Sequence, residues 1–532
     1  MGGIEVPRKF RLLSLALALL CLLTISGCGR NPAEETTKNA QNVQAEEAAA
    51  PDAAKESKSS ASTAGIIRGK VTDSNSNMLI AGIVVTDEEG NIVRQTTNAY
   101  GGYELRLEPG IYTLTFGKGA EYSTEEKTVE VESLKTKYMA DVRLTQLYDS
   151  YAKGWIAGDC HQHSYYSDGV DSVQSLMISN ASVGLYWGFL TDHNNSRGVP
   201  EWSSPISVNV GSDEHGNLRP FKGFDGVEVT TEFGHFNSLG SGLTLETYDM
   251  NLRESERASA EKLNYIREKM LYILDSIKRV GGIAQMNHPY SSTTMGATNW
   301  IDLDDYELLD GFETIEIWNG YFVPPDGIYT DSNPMNQNYQ SKMMWYGLLN
   351  AMKDGHAFHA ATGGTDNHDS GNPVTAENHA YAQAEITDIT SYYNYIKYAG
   401  KYSGNPTTYV NLEGRELNME NVQQALRAGN SFVSNGPVVI CNIDGKSYGQ
   451  TLIPAGRDLT IQTDIFNRDG ISEIRVVVND ETVKTVTPEG NVTTYTDPIP
   501  ITGTWEPKDW ILIEVLGPVT QYAVTNPIII GS

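Results

Sequence analysis

Between Trp155 and Pro437 one pattern recurs: an apolar run of strand length ends in a histidine or an acid. Tyr186 to Leu190 runs into Thr191-Asp192-His193, and Phe224 to Val227 into Glu228, with Gly234-His235 just beyond. Ile283 to Met286 leads to Asn287-His288-Pro289, and Ala360 to Gly364 to Thr365-Asp366-Asn367-His368. Helical stretches alternate with these runs, which favours an α/β fold with parallel strands. In such folds the active site lies at the C-terminal ends of the strands, where these polar residues fall. The clearest helix spans about Ser255 to Val280; Leu263, Ile266, Met270, Ile273 and Ile277 recur at helical spacing, and Gly281-Gly282 stops it.

The richest stretch is Gly158-Asp159-Cys160-His161-Gln162-His163-Ser164, followed by Ser167-Asp168-Gly169. On an extended chain His161 and His163 project to the same side, so both imidazoles can grip one cation. Asp168, past a turn-prone Ser-Asp-Gly, can swing a carboxylate back toward them. With the other strand ends the candidate ligands are His161, His163, Asp168, His193, Glu228, His235, His288, Asp366 and His368. Singly each has a bland reading, as a turn former or a satisfied core histidine; jointly they point to metal. Imidazole and carboxylate donors without thiolate suit zinc, manganese or iron. Nine donors are too many for one tetrahedral ion and match two or three divalent ions. Asp192 either orients a histidine or serves as a strand-end hydrogen-bonder. Glu316 and Asn319 either face the pocket or cap a strand. Arg197 meets a phosphate or stays at the surface, and Cys160 should be a core thiol pointing away from its histidine neighbours.

The flanks carry no such constellation. At 532 residues the chain is too long for one core. Its net charge of −28 repels polyanions and argues against a nucleic-acid polymer as partner. Arg8, Lys9 and Arg11 precede an apolar run from Leu12 to Leu23 that is too short for a comfortable membrane span. It ends in Ile25-Ser26-Gly27-Cys28 and resembles a bacterial lipoprotein signal. That resemblance implies cleavage after residue 27, lipid on Cys28, and an extracytoplasmic chain anchored to the membrane. Residues 28–64 are too poor in apolar side chains to fold and read as a tether. Residues 65–146 read as short strands with turns at Tyr100-Gly101-Gly102 and Glu108-Pro109-Gly110, and resemble the carboxypeptidase regulatory-like β-sandwich. Residues 438–532 return to strands and read as a C-terminal β-sandwich.

The segments Asp159 to Ser164, Ser167-Asp168-Gly169, Thr191-Asp192-His193-Asn194, Val227 to Thr231 with Gly234-His235-Phe236-Asn237, Asn287-His288-Pro289, and Gly364-Thr365-Asp366 with His368 resemble the PHP (polymerase and histidinol phosphatase) superfamily. The resemblance is closer to its CehA/McbA-type metallohydrolase branch, and Ala425 to Pro437 is also similar to that branch's closing segment. It covers about half the chain and implies a distorted (β/α)7 barrel over residues 150–437. It further implies a first ion on His161, His163, Glu228 and Asp366, with Glu228 bridging to a second on His235 and His288. A third would rest on Asp168, His193 and His368. Glu228, Asp366 and Asp192 are the residues expected to matter for catalysis. The expected activity is hydrolysis of a small-molecule phosphoester by a metal-activated water. Hydrolysis of a carbamate, ester or amide is the alternative, and a non-catalytic surface binding protein a third reading. The metal identity, oligomeric state and natural substrate are not legible in the sequence.

Overall fold

The computed structural model describes residues 63–204, 208–241, 260–291, 295–320, 337–370, 402–518 and 521–532. The expected leader, the expected lipidation at Cys28 and nearly all of the expected tether lie outside the described residues, as does the expected start of the long helix at Ser255.

Seven strands among the described residues carry the ligand-type positions: β1 (Trp155–Asp159), β2 (Trp187–Leu190), β3 (Lys222–Thr231), β4 (Gly234–Leu239), β5 (Ile283–Met286), β6 (Thr314–Asn319) and β7 (Ala360–Gly364). The sheet is mixed. β1, β2 and β3 are parallel, as are β5, β6 and β7, but β4 runs antiparallel to both β3 and β5. This corrects the all-parallel expectation. Only Glu232 and Phe233 separate β3 from β4; so short a link can only reverse the chain, whereas a parallel return needs a crossover of a dozen residues or more.

β1 and β7 meet past their ends rather than along a ladder. Gln162 and Asn367 form a parallel bridge. Asp366 N donates to His161 O at 2.7 Å, and His163 N donates to Asn367 O at 2.9 Å. Alongside its length β1 pairs instead with the antiparallel β8 (Thr407–Asn411). Helices α1 (Val173–Ser182), α2 (Ala260–Arg279) and α3 (Gln337–Ala351) lie between strands of the sheet, α1 and α3 between parallel strands and α2 between the antiparallel β4 and β5, with shorter turns of helix elsewhere. Ile266, Met270, Ile273 and Ile277 of α2 are buried as their spacing predicts, but Leu263 is 50% exposed: the buried face starts one turn later. Gly281, at φ 84°, takes the left-handed conformation that ends the helix.

The N-terminal strands, among them Gly65–Thr72, Gly82–Asp87 and Gly110–Gly117, form two four-stranded sheets around Ile67, Val71, Leu114 and Phe116. The C-terminal strands divide: Val438–Ile443, Asp458–Phe466, Thr494–Tyr495 and Ile499–Thr502 form a four-stranded sheet of their own, while others join the centre. β9 (Ser431–Ser434) pairs with Tyr522–Thr525, which pairs with Trp510–Leu516, so these strands extend the central sheet. Trp510, Leu512, Tyr522 and Val524 share one apolar cluster with Ile315, Trp318 and Trp345. Among the described residues no helix is long and apolar enough to cross a membrane.

Candidate metal centre

The backbone turns sharply at the strand ends that supply ligands. His288 and Asp366 have φ of 27° and 48°, and Asn194, beside His193, has 52°. Positive φ is costly for residues with a Cβ and is held only where the surroundings enforce it. Here the turns aim side chains into one pocket. Beyond β1, Asp159 accepts from His161 N at 3.0 Å and Thr365 N at 3.1 Å, tying the His161 stretch to the Asp366 stretch.

Glu228, at the centre, is buried and faced by five imidazoles. Its Oε1 lies 3.3 Å from His161 Nε2, 3.1 Å from His235 Nδ1 and 3.3 Å from His288 Nε2. Its Oε2 lies 3.3 Å from His163 Nε2 and 2.8 Å from His193 Nδ1. Asp366 Oδ1 sits 3.1 Å from His163 Nε2 and 3.5 Å from His161 Nε2. Asp168 forms an outer rim, 3.1 Å from His368 Nε2 and 3.5 Å from His193 Nε2. Its side chain is 56% exposed, so the pocket opens to solvent on that side.

These separations test whether the residues fit a metal. The Nε2 atoms of His161 and His163 are 3.2 Å apart, and two such nitrogens can both present lone pairs only toward a shared cation. Metal–nitrogen bonds of about 2.0–2.1 Å in tetrahedral geometry place donor atoms about 3.3 Å apart; the donors here match. Glu228 Oε2, His163 Nδ1 and His288 Nδ1 are buried without a hydrogen bond. Burial favours the neutral form of His163 and lowers its pKa, keeping lone pairs free at neutral pH. Burial would raise the carboxyl of Glu228, but the facing imidazoles of His161 and His235 outweigh it and hold the pKa well below the usual range.

Four overlapping groups could hold an ion: His161, His163 and Glu228; His161, His288 and Asp366; His193, Glu228 and His235; and His163, Asp168, His193 and His368. All nine sequence candidates fall in this set. The groups overlap and so do not divide the residues among separate ions; Glu228 Oε1 lies within 3.3 Å of both His235 and His288, and Asp168, His193 and His368 fall in one group.

Of the two roles open to Asp192, its hydrogen bonds match that of a strand-end hydrogen-bonder. It accepts from Ser164 N, Ser164 Oγ and Ser167 Oγ, each at 2.8 Å, so its hydrogen bonds pin the loop leading to Asp168 rather than an imidazole. Its strand-end position allows either role, and the serines one turn past His163 lie within reach. Glu316 is buried and faces His161 Nδ1 rather than open pocket. Cys160 is buried in the apolar core, and burial pushes its thiol pKa well above the ordinary value. Arg197 donates to Asn195 Oδ1 and Tyr166 O and is exposed.

Sequence reasoning assigned no role to Asn237 and Asn287. Asn287 Nδ2 donates to Glu228 Oε1 and to Asn237 Oδ1, both at 2.9 Å, and Asn237 Nδ2 donates to Cys160 O at 3.1 Å. The available signal was an amide side chain in or just past an otherwise apolar strand.

No family model and no curated protein matches the chain. Among solved structures it is similar to a two-domain protein of Bacteroides vulgatus containing a predicted PHP-like metal-dependent phosphoesterase. That likeness has 16% identity over 70% of this chain and 95% of that one, with a TM-score of 0.29. A predicted metal-dependent phosphoesterase of Bifidobacterium adolescentis is 15% identical over 45% of this chain and 95% of its own, with a TM-score of 0.25. An amidohydrolase of Chromobacterium violaceum with bound sulfate and no metal is 16% identical over 41% and 90%, with a TM-score of 0.24. At these scores the likenesses carry no argument, and the functional reading rests on the pocket itself.

Proposed function

We propose that this chain is a multinuclear metal-dependent hydrolase acting on a small-molecule phosphoester. The observation that carries the reading is Glu228, a buried carboxylate faced by five imidazoles with one oxygen left without a hydrogen bond. So many imidazoles around buried carboxylates form a cation pocket, and burying such carboxylate charge uncompensated would be costly. The ligand set would hold divalent ions, which supply an activated water and polarise the substrate oxygen when bound. The chain's own residues hold the donors in place: Asn287 steadies Glu228, and Asp192 fixes the loop that carries Asp168. The exposed rim of Asp168, His193 and His368 gives the substrate its approach. A phosphoester is favoured because several cations side by side complement the charged oxygens of a phosphoryl group. The seven strands β1–β7 and the bridge between their outer ends support reading the sheet as a distorted PHP-type barrel. The basic leader ending at Cys28 supports a lipid-anchored, extracytoplasmic location.

The test is a paired assay of the metal-reconstituted protein on a chromogenic phosphoester and on an aryl carbamate or ester. Chelator-sensitive cleavage of the phosphoester supports the proposal. Cleavage of the carbamate or ester alone moves the activity to that bond class, and no chelator-sensitive hydrolysis of either overturns the enzyme reading.

A further inference from the structure

Glu316 stands behind the pocket, with no exposed surface. Its Oε1 lies 2.9 Å from His161 Nδ1. Its Oε2 accepts from His288 N at 2.8 Å and from Asn319 Nδ2 at 3.0 Å. A carboxylate can only accept, so His161 must carry its proton on Nδ1. In the neutral imidazole that a metal would bind, this puts the lone pair on Nε2, the atom facing Glu228, Asp366 and His163. The other oxygen holds the backbone of His288 at the strained φ of 27° that aims this imidazole at Glu228. Gly364 makes room for the arrangement. A Cβ there would lie 2.3 Å from His161 Cβ and 2.6 Å from Glu316 Oε1.

We propose that Glu316 is the positioning residue of the centre, one carboxylate that fixes the tautomer of His161 and the backbone of His288 at once. The inference rests on the metal reading above and adds to it a residue outside the ligand set. Hydrogen-bonding partners of ligating histidines typically carry about 10- to 100-fold of metal affinity. Glutamine has the same shape, but its amide offers one accepting oxygen where three donors converge, so Glu316→Gln isolates the acceptor role from packing.

The experiment measures zinc affinity by chelator competition on the full chain, for the wild type, Glu316→Gln and Glu316→Asp, each checked for folding by circular dichroism. The expected result is a fall of about 10- to 100-fold for Glu316→Gln with an unchanged fold, and a smaller fall for Glu316→Asp, which keeps the carboxylate. Equal zinc affinity in folded Glu316→Gln overturns the proposal. A wild type that binds no zinc, manganese or iron instead removes the metal reading itself. Should Glu316→Gln not fold, 15N-histidine spectra of the zinc-free wild type decide. A His161 signal, assigned by its loss in His161→Asn, with Nδ1 protonated supports the proposal, and one with Nδ1 unprotonated contradicts it.

Discussion

Glu228 is faced by five of the candidate imidazoles, and its replacement has a sharp expected outcome. Glu228→Ala removes the carboxylate shared by two of the four donor groups. Metal content should fall by at least one ion per chain, and turnover by more than the roughly 100-fold typical of losing a ligand's supporting partner. Elemental analysis beside a rate measurement checks both, and unchanged turnover at full occupancy would contradict the assigned role. The candidate ligands were legible in the sequence because histidine and acid residues at strand ends have few competing uses. The roles of Asn237, Asn287 and Glu316 were not, because they depend on which strand lies alongside which. No spacing within one segment reports that Asn287 reaches Glu228, 59 positions away.

At the scale of elements, α2 was legible in its periodicity, and its buried face makes a graded prediction. Ile273 is buried and belongs to the apolar cluster under the sheet. Ile273→Ala should cost about 2–5 kcal/mol, whereas Leu263→Ala, at a half-exposed position, should stay within about 0.5 kcal/mol. Chemical denaturation of both variants checks the contrast; equal losses would contradict the placement of the helix face. The direction of β4 was the element-level miss. Alternating strand and helix patterns suggest crossovers, yet the short step from Thr231 to Gly234 forces a hairpin. That hairpin sets His235 opposite Thr230 on β3 and brings its ring to Glu228.

At the scale of the whole molecule, the flanking strands are structural partners of the centre. Trp510, Leu512, Tyr522 and Val524 complete the cluster under β6 and α3, and Lys342 of α3 is paired inside it with Glu514 at 2.9 Å. Removing residues 438–532 would strip that cluster and uncover the apolar side chains beneath it, so the truncated chain should be insoluble; a soluble, cooperatively folding product would contradict this. The N-terminal sheets are joined to the centre by Lys118, which is buried, donates to Ile80 O at 2.9 Å and bonds the Ala181 carbonyl at the end of α1. Burial pushes its pKa down to about 7. The unfolded chain therefore binds one more proton than the folded chain between pH of about 7 and the ordinary lysine range, so this residue's contribution to stability rises with pH there. The stability difference between wild type and Lys118→Met should grow from pH 7 to pH 9; a flat or falling difference contradicts the assignment. Sequence patterns showed these flanks as strands, but not that the last of them continue the central sheet, since pairing between distant strands leaves no local mark. The most direct test of the central claim is the number of metal ions per chain after reconstitution and removal of excess metal. The account predicts two or three, lost to a chelator; fewer than one would contradict it.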